Sequence, residues 1–404
     1  MTLTGNKDWL LFVFAVAVSL HTIMANSTAA SVAPNYNLFA ADLFTVVADN
    51  RVDQNVVFSP ASIQTCLTVA YLGAEGETAE EMRKVLKLGD GDKNAVIKKY
   101  GEFVKSSFTP TNAKDGPLLK IANRIFVNQN LKISGTFQKT AKEYFDTSAE
   151  SLNFEDATGS VATINGWVEQ QTNDKIKNLL QTDAVDSDTS AILINAIYFK
   201  AKWSRQFSES STRKSTFYAL NNDQFEVDLM YQDDYFRYAD LPELEATAIE
   251  MPYENSELSM LIVLPKEVNG LQKLESKLSV FNISQITEKM EGEHVDVFLP
   301  RFHIEFEMDL KGPLKKMGIA SMFSSNANLR GLFVSSVPQR ISEAKHKAFL
   351  DVNEAGSEAA AATYLKIVPM SLNLNQKVFR VDHPFFFAIR DKTSIYFSGH
   401  VVKP

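Results

Sequence analysis

The stretch "SAILINAIYFKAKW", Ser190 to Trp203, is apolar through its first ten positions except for Ser190 and Asn195. Its enrichment in β-branched residues marks a long buried strand. Such a strand needs packed neighbours, and the flanking segments supply them. Upstream, "NYNLFAADLFTVVAD", "SPASIQTCLTVAYLGA" and "TAEEMRKVL" carry helical spacing. Thr78 is expected as the N-cap of the third, with Glu81 completing a capping box. "LLKIANRIFVN" reads as a strand and "SVATINGWVEQQTNDKI" as a helix. Downstream, strands are expected in "ATAIEMPYE", "LSMLIVLP", "HVDVFLPRFHIEFEM", "HPFFFAIRD" and "SIYFSGHVV", with helices in "LQKLESKLS" and "LKGPLKKMG". No repeat and no long linker divides them. The expectation is a single α+β domain with large mixed or antiparallel sheets.

The totals agree with a globular chain. Its 404 residues are 45% hydrophobic and 22% charged, enough to bury a large core. A net charge of -8 leaves no basic footprint for nucleic acid. The N-terminal "KDWLLFVFAVAVSL" pairs a Lys with about a dozen apolar residues and then small residues, the pattern of a secretory signal over residues 1–25. Residues 26–404 would form the mature domain. No later segment reaches about 18 uninterrupted apolar residues, so no membrane span is expected. Cys66 is the single cysteine, which excludes an internal disulfide and suits a small core residue. Sequons at Asn26 and Asn282 fit a secreted glycoprotein.

Catalytic signatures are missing. There is no G-x-S-x-G, H-E-x-x-H, P-loop or dinucleotide fingerprint, so the chain does not read as an enzyme. His294, His303, His346, His383 and His400 are too scattered to pair as metal ligands, and no cofactor is implied. His383 reads as a turn residue before a buried strand. Lys93, Lys98, Lys99 and Lys105 fall near one helical face; polysaccharide binding is an open alternative to a solvated face.

One stretch resists a local reading. "EAGSEAAAAT", Glu354 to Thr363, has the propensity of a helix but neither an N-cap nor an apolar stripe. By itself it reads as a linker or a frayed helix.

Five segments, in order, resemble the serpins, the serine protease inhibitor family. They are "NVVFSPASI", "INGWVEQQTNDKI", "NAIYFKAKWSRQF" (through Asn195, Phe199, Lys200, Trp203 and Phe207), "LPRF" with "DLKGPLKKMGIASMF", and "DHPFFFAI" with "YFSGHVVKP". The resemblance implies about three β-sheets, eight to nine helices and an exposed reactive loop near the C-terminus, with hinge and loop over residues 354–378. The Ala-rich stretch then becomes a hinge that slides between two strands of an existing sheet. With a period of two, Ser357, Ala359, Ala361 and Thr363 point inward, while Glu358, Ala360 and Ala362 point outward. The inward set is small and uncharged, and Gly356 supplies the pivot beside Glu354.

Family spacing places the scissile bond at Met370–Ser371, in "IVPMS". A one-residue shift would make Ser371 the bait. Met implies elastase-like or chymotrypsin-like targets, and the hinge also permits papain-like cysteine proteases. By motif match, Ser59, Ser62, Asn195 and His346 form a buried polar cluster that controls sheet opening (the shutter). Trp203, Arg301 and Glu354 mark the place where the loop inserts (the breach). The implied protein is a secreted monomer acting as a suicide substrate; a non-inhibitory carrier, chaperone or storage member is the alternative. Ala201 stands for the usual Gly, Asn173–Asp174 for a Gly region, His400 for Arg and Ala355 for a charged residue.

Overall fold

The computed structural model describes residues 36–49, 51–107, 116–278, 283–335, 338–357 and 376–404. The signal segment, Asn26, Asn282, Glu358 through Thr363, and the Met370–Ser371 bond lie outside the described residues.

The apolar run is a strand over Ala191–Lys202, with its first nine residues buried. It is central in a six-stranded sheet ordered Phe302–Asp309, Glu343–Asn353, Gly356–Ser357, Ala191–Lys202, Leu118–Asn128, Ala149–Leu152. Both faces are covered, which explains why the sequence does not alternate. Leu193, Ile197, Phe199 and Ala201 enter the main core. Ile192, Ile194, Ala196 and Tyr198 pack instead with Val161, Ile164 and Val168 of the helix Ala157–Gln171.

The remaining strands form one nine-stranded network, so the described strands make two sheets where about three were expected. The reason is the 18-residue strand Gln224–Leu241. Its first half pairs with Arg213–Tyr218 and its last residues with Ala246–Pro252, joining two sheets into one. Nine α-helices occur among the described residues, the first over 36–48. Pro60–Gly73 is buried almost throughout; Ser59 caps it by accepting the Ser62 N–H at 3.1 Å, and Pro60 occupies its first turn. No helix among the described residues is long and apolar enough to cross a membrane.

Three local features differ from the sequence expectation. Thr78 is not an N-cap: the helix begins at Gly76, and Thr78 is buried inside it, its hydroxyl accepting from Ser321 Oγ at 3.0 Å and the Asn328 N–H at 3.1 Å. Glu81 does not complete a box either. Its carboxylate accepts the N–H groups of Ala320 and Ser321, capping a distant 3-10 turn. The expected helix ending at "NDKI" stops at Gln171, because Asn173 and Asp174 take φ of 52° and 59°. Asn and Asp tolerate that left-handed region, which accounts for their standing where the family uses Gly. Finally, "HVDVFLPRFHIEFEM" is two strands in different sheets, with Arg301 at the corner between Glu291–Pro300 and Phe302–Asp309.

Cys66 is buried, as expected. Burial pushes its thiol up, and its Sγ lies 3.6 Å from the Ile194 carbonyl.

Candidate functional site

Two neighbouring strands define the site. Glu343–Asn353 and Ala191–Lys202 pair in parallel from Glu343↔Ile192 to Phe349↔Tyr198. Above that level they part, and Gly356–Ser357 lies between them. Gly356 faces Asn353 and Lys202, while Ser357 faces Val352 and Ala201, antiparallel on both sides. Two residues of the expected hinge, Gly356 and Ser357, are therefore paired into the sheet.

The chain reaches this position through a set of fixed contacts. Gly356 has φ 149°, and a Cβ there would lie 2.1 Å from the Ala201 carbonyl oxygen, so only glycine fits. Ala201, standing where the family uses Gly, turns its methyl into the main core and leaves this pairing intact. Ala355 is buried, and its carbonyl accepts the Trp203 N–H at 2.9 Å. Glu354, also buried, takes Arg301 Nε at 2.7 Å on both oxygens and Thr212 Oγ1 at 2.5 Å. Burial pushes the Glu354 carboxyl up. The hydrogen bonds from Arg301 and Thr212 outweigh it and hold the group below the usual carboxylate range. Arg301, through the same bond, is raised in turn.

Trp203 adds the floor. Its indole N–H donates to the Asn353 carbonyl at 3.0 Å, and its ring stacks on Tyr253 with centroids 4.7 Å apart. The Tyr253 hydroxyl meets the Ser357 hydroxyl at 2.8 Å. Trp203, Arg301 and Glu354 thus lie together around the start of the Gly356–Ser357 strand. Thr212 and Tyr253 were missed; nothing in "MPYE" signals a partner 104 residues away.

A second polar cluster lies lower in the same sheet. Asn123, Asn195 and His346 sit in one row across three strands. Asn195 Nδ2 donates to Ser62 Oγ at 2.6 Å and to Asn123 Oδ1, leaving its Oδ1 to accept from His346 Nδ1. That arrangement puts the imidazole proton on Nδ1. His346 Nε2 is then a buried acceptor with no partner among the described residues. Burial pushes the imidazole down to about 3, so it is neutral. Ser62, Asn195 and His346 therefore form one network. Ser59 is beside it but spends its hydroxyl on the helix cap. Asn123 is the member that sequence reading missed, since one polar residue in an alternating strand carries no signal.

The remaining candidates have structural partners. His383 is buried, with Nδ1 2.9 Å from Asp382 and Nε2 2.7 Å from the Pro265 carbonyl. His400 spans three segments: Nδ1 is 2.5 Å from Glu275 and Nε2 2.8 Å from the Gln54 carbonyl. Lys93 reaches the Ala74 carbonyl, and burial lowers its pKa; Lys105 reaches the Glu143 carbonyl at 2.5 Å. Two of the four lysines thus turn toward the protein, and they do not form one open basic face. No group of His, Cys, Asp and Glu among the described residues is arranged to hold a metal.

Known proteins share this architecture. The family model described as "Serpin (serine protease inhibitor)" covers residues 34–404. The chain is 39% identical to Serine protease inhibitor 42Dd of Drosophila melanogaster over 90% of its length and 95% of that protein's. It is 36% identical to the leukocyte elastase inhibitor of Bos taurus, over 91% and 97%. Among solved structures, Serpin48 of the insect Tenebrio molitor superposes with a TM-score of 0.83 at 35% identity, covering 92% and 98% of the two chains. The chain belongs to the serpin family.

Proposed function

We propose that this serpin is an extracellular, monomeric suicide inhibitor of elastase-like or chymotrypsin-like serine proteases, with its scissile bond at Met370–Ser371. The observation that carries the reading is Ser357 paired on both sides between Val352 and Ala201. Continuing that register sets Ala359 opposite Phe199, Ala361 opposite Ile197 and Thr363 opposite Asn195. Inserted in that register, these side chains would join Ser357 on the core face, where only small uncharged groups can be added to a packed layer. Glu358 would then take the other face, opposite Lys200.

The chemistry is the protease's own. Its nucleophile attacks the Met370 carbonyl, the Met370–Ser371 peptide bond breaks, and Ser371 leaves as a free amine. The acyl ester keeps the enzyme on Met370 while the freed hinge inserts. Residues 354 to 370 in strand conformation span roughly 55 Å, enough to carry the enzyme across the inhibitor. Insertion must part His346 from Asn195, so the polar row acts as a latch on the step. The drive is the strain release that accompanies loop insertion, as is general for serpins. The similarity to the bovine leukocyte elastase inhibitor supports an elastase-like target, and the apolar Met side chain suits such a pocket. The signal pattern over residues 1–25 and the sequons at Asn26 and Asn282 support secretion and glycosylation. Mixing the protein with pancreatic elastase and looking for a complex that survives denaturation tests the reading.

A further inference from the structure

A cavity of about 430 Å³ opens on the nine-stranded sheet, separate from the hinge. Its size falls within the range of small-molecule pockets, roughly 300–1,000 Å³. Its polar wall is built around Glu250, which is buried. Glu250 Oε1 accepts from Arg390 Nη1 at 2.8 Å and Ser259 Oγ at 2.7 Å, and Oε2 accepts from Arg237. Two guanidinium groups thus share one carboxylate, leaving one positive charge in excess.

Over the whole lining the formal charges balance, so the excess is local to the Glu250 cluster. Glu257 and Lys392 pair with each other at 2.9 Å, both largely exposed at the mouth. Asp391 is satisfied within its own turn by the N–H groups of Thr393 and Ser394 and the hydroxyls of Thr393 and Tyr396. Arg390 is only 7% exposed, yet among the described residues its Nε and Nη2 donate to nothing. Arg390 itself lines the cavity. A buried guanidinium with an unused pair of donors is an unmet demand for a planar, two-oxygen anion.

Pro252, Leu258 and Phe236 contribute apolar surface to the lining, and Tyr235, also in the lining, is exposed. We infer that the cavity is a binding site for a small amphipathic anion, an aromatic carboxylate or sulfonate, with its charged end on Arg390 and Arg237 and its ring along Leu258 and Tyr235.

The test is isothermal titration of the full mature chain with naphthalene-2-sulfonate, with the uncharged naphthalene-2-methanol alongside. Truncating Arg390 risks unfolding, since it would strand Glu250. The blocking variant is therefore Gly292→Leu: Gly292 lines the cavity, and a Cβ there meets nothing within 4 Å. Charge-assisted hydrogen bonds predict that the sulfonate binds one to one, about ten- to a hundredfold more tightly than the alcohol. G292L, melting like the parent, should lose that binding. Equal binding of the two probes, no binding of the sulfonate to folded protein, or unchanged binding to G292L would each overturn the assignment.

Discussion

The hydroxyl of Tyr253 lies 2.8 Å from that of Ser357, and the Tyr253 ring is stacked on Trp203. The first inserted hinge side chain is therefore received by a hydroxyl in a buried position. Ser357→Glu would put an unpaired carboxylate there, at a cost of several kcal/mol. Elastase should still cleave such a protein, but the yield of stable complex relative to cleaved inhibitor should fall at least about a hundredfold, since about 3 kcal/mol is worth that factor. Ser357→Ala loses one hydrogen bond, about 1 kcal/mol, and should keep inhibition. Densitometry of denaturing gels distinguishes the two.

Glu354 gives the hinge a pH dependence. Its carboxyl is held below the usual range in the folded protein, so its stabilising effect is complete above the unfolded value, about 4.3. It is lost as pH falls through the lower folded value. Acidification below about pH 4 should therefore release the hinge, read as a change in Trp203 fluorescence in the chain from residue 26 onward carrying Trp167→Phe. Glu354→Gln should abolish that transition. An unchanged transition in the variant would place the titrating group elsewhere.

His346 acts in a higher window. Its folded value is about 3, below the ordinary 6.5, so between those limits the unfolded chain binds a proton that the folded chain refuses. Stability then falls as pH drops from 6.5, by as much as about 1.4 kcal/mol per unit. Urea unfolding at pH 7 and pH 5 should show this slope, and His346→Gln should flatten it. Glu354 does not contribute above about pH 5, which keeps the two effects apart.

Asn195 connects Ser62, Asn123 and His346, so Asn195→Ala strands several buried groups at once. A loss of about 2–4 kcal/mol is expected, against about 1 kcal/mol for Asn123→Ala. The double variant should cost less than the sum, because the second change removes a partner already lost. Strict additivity in chemical unfolding would mean the row does not act as one network.

What could be read from the sequence was whatever depends on period and local spacing. The alternation that turns Ser357 inward needs only a strand, and the apolar run of Ala191–Lys202 needs only two covered faces. What could not be read depends on register and on long-range partners. Asn123 joins the polar row only because it lies opposite Asn195 across two strands. Thr78 and Glu81 satisfied a local capping pattern, but Ser321, more than 200 residues away, competes for both. Arg301 reads as a mid-strand residue until the chain turns there from one sheet to the other. Local patterns carry no information about which remote group will claim a donor.

In the proposed mechanism, inhibition would rest on cleavage at Met370–Ser371 followed by trapping of the acylated protease. The most direct measurement mixes the purified protein with pancreatic elastase and combines a denaturing gel with the mass of the released C-terminal peptide. The expected products are a covalent complex and a peptide beginning at Ser371. Complete cleavage with no surviving complex, for elastase and chymotrypsin alike, would contradict the trap.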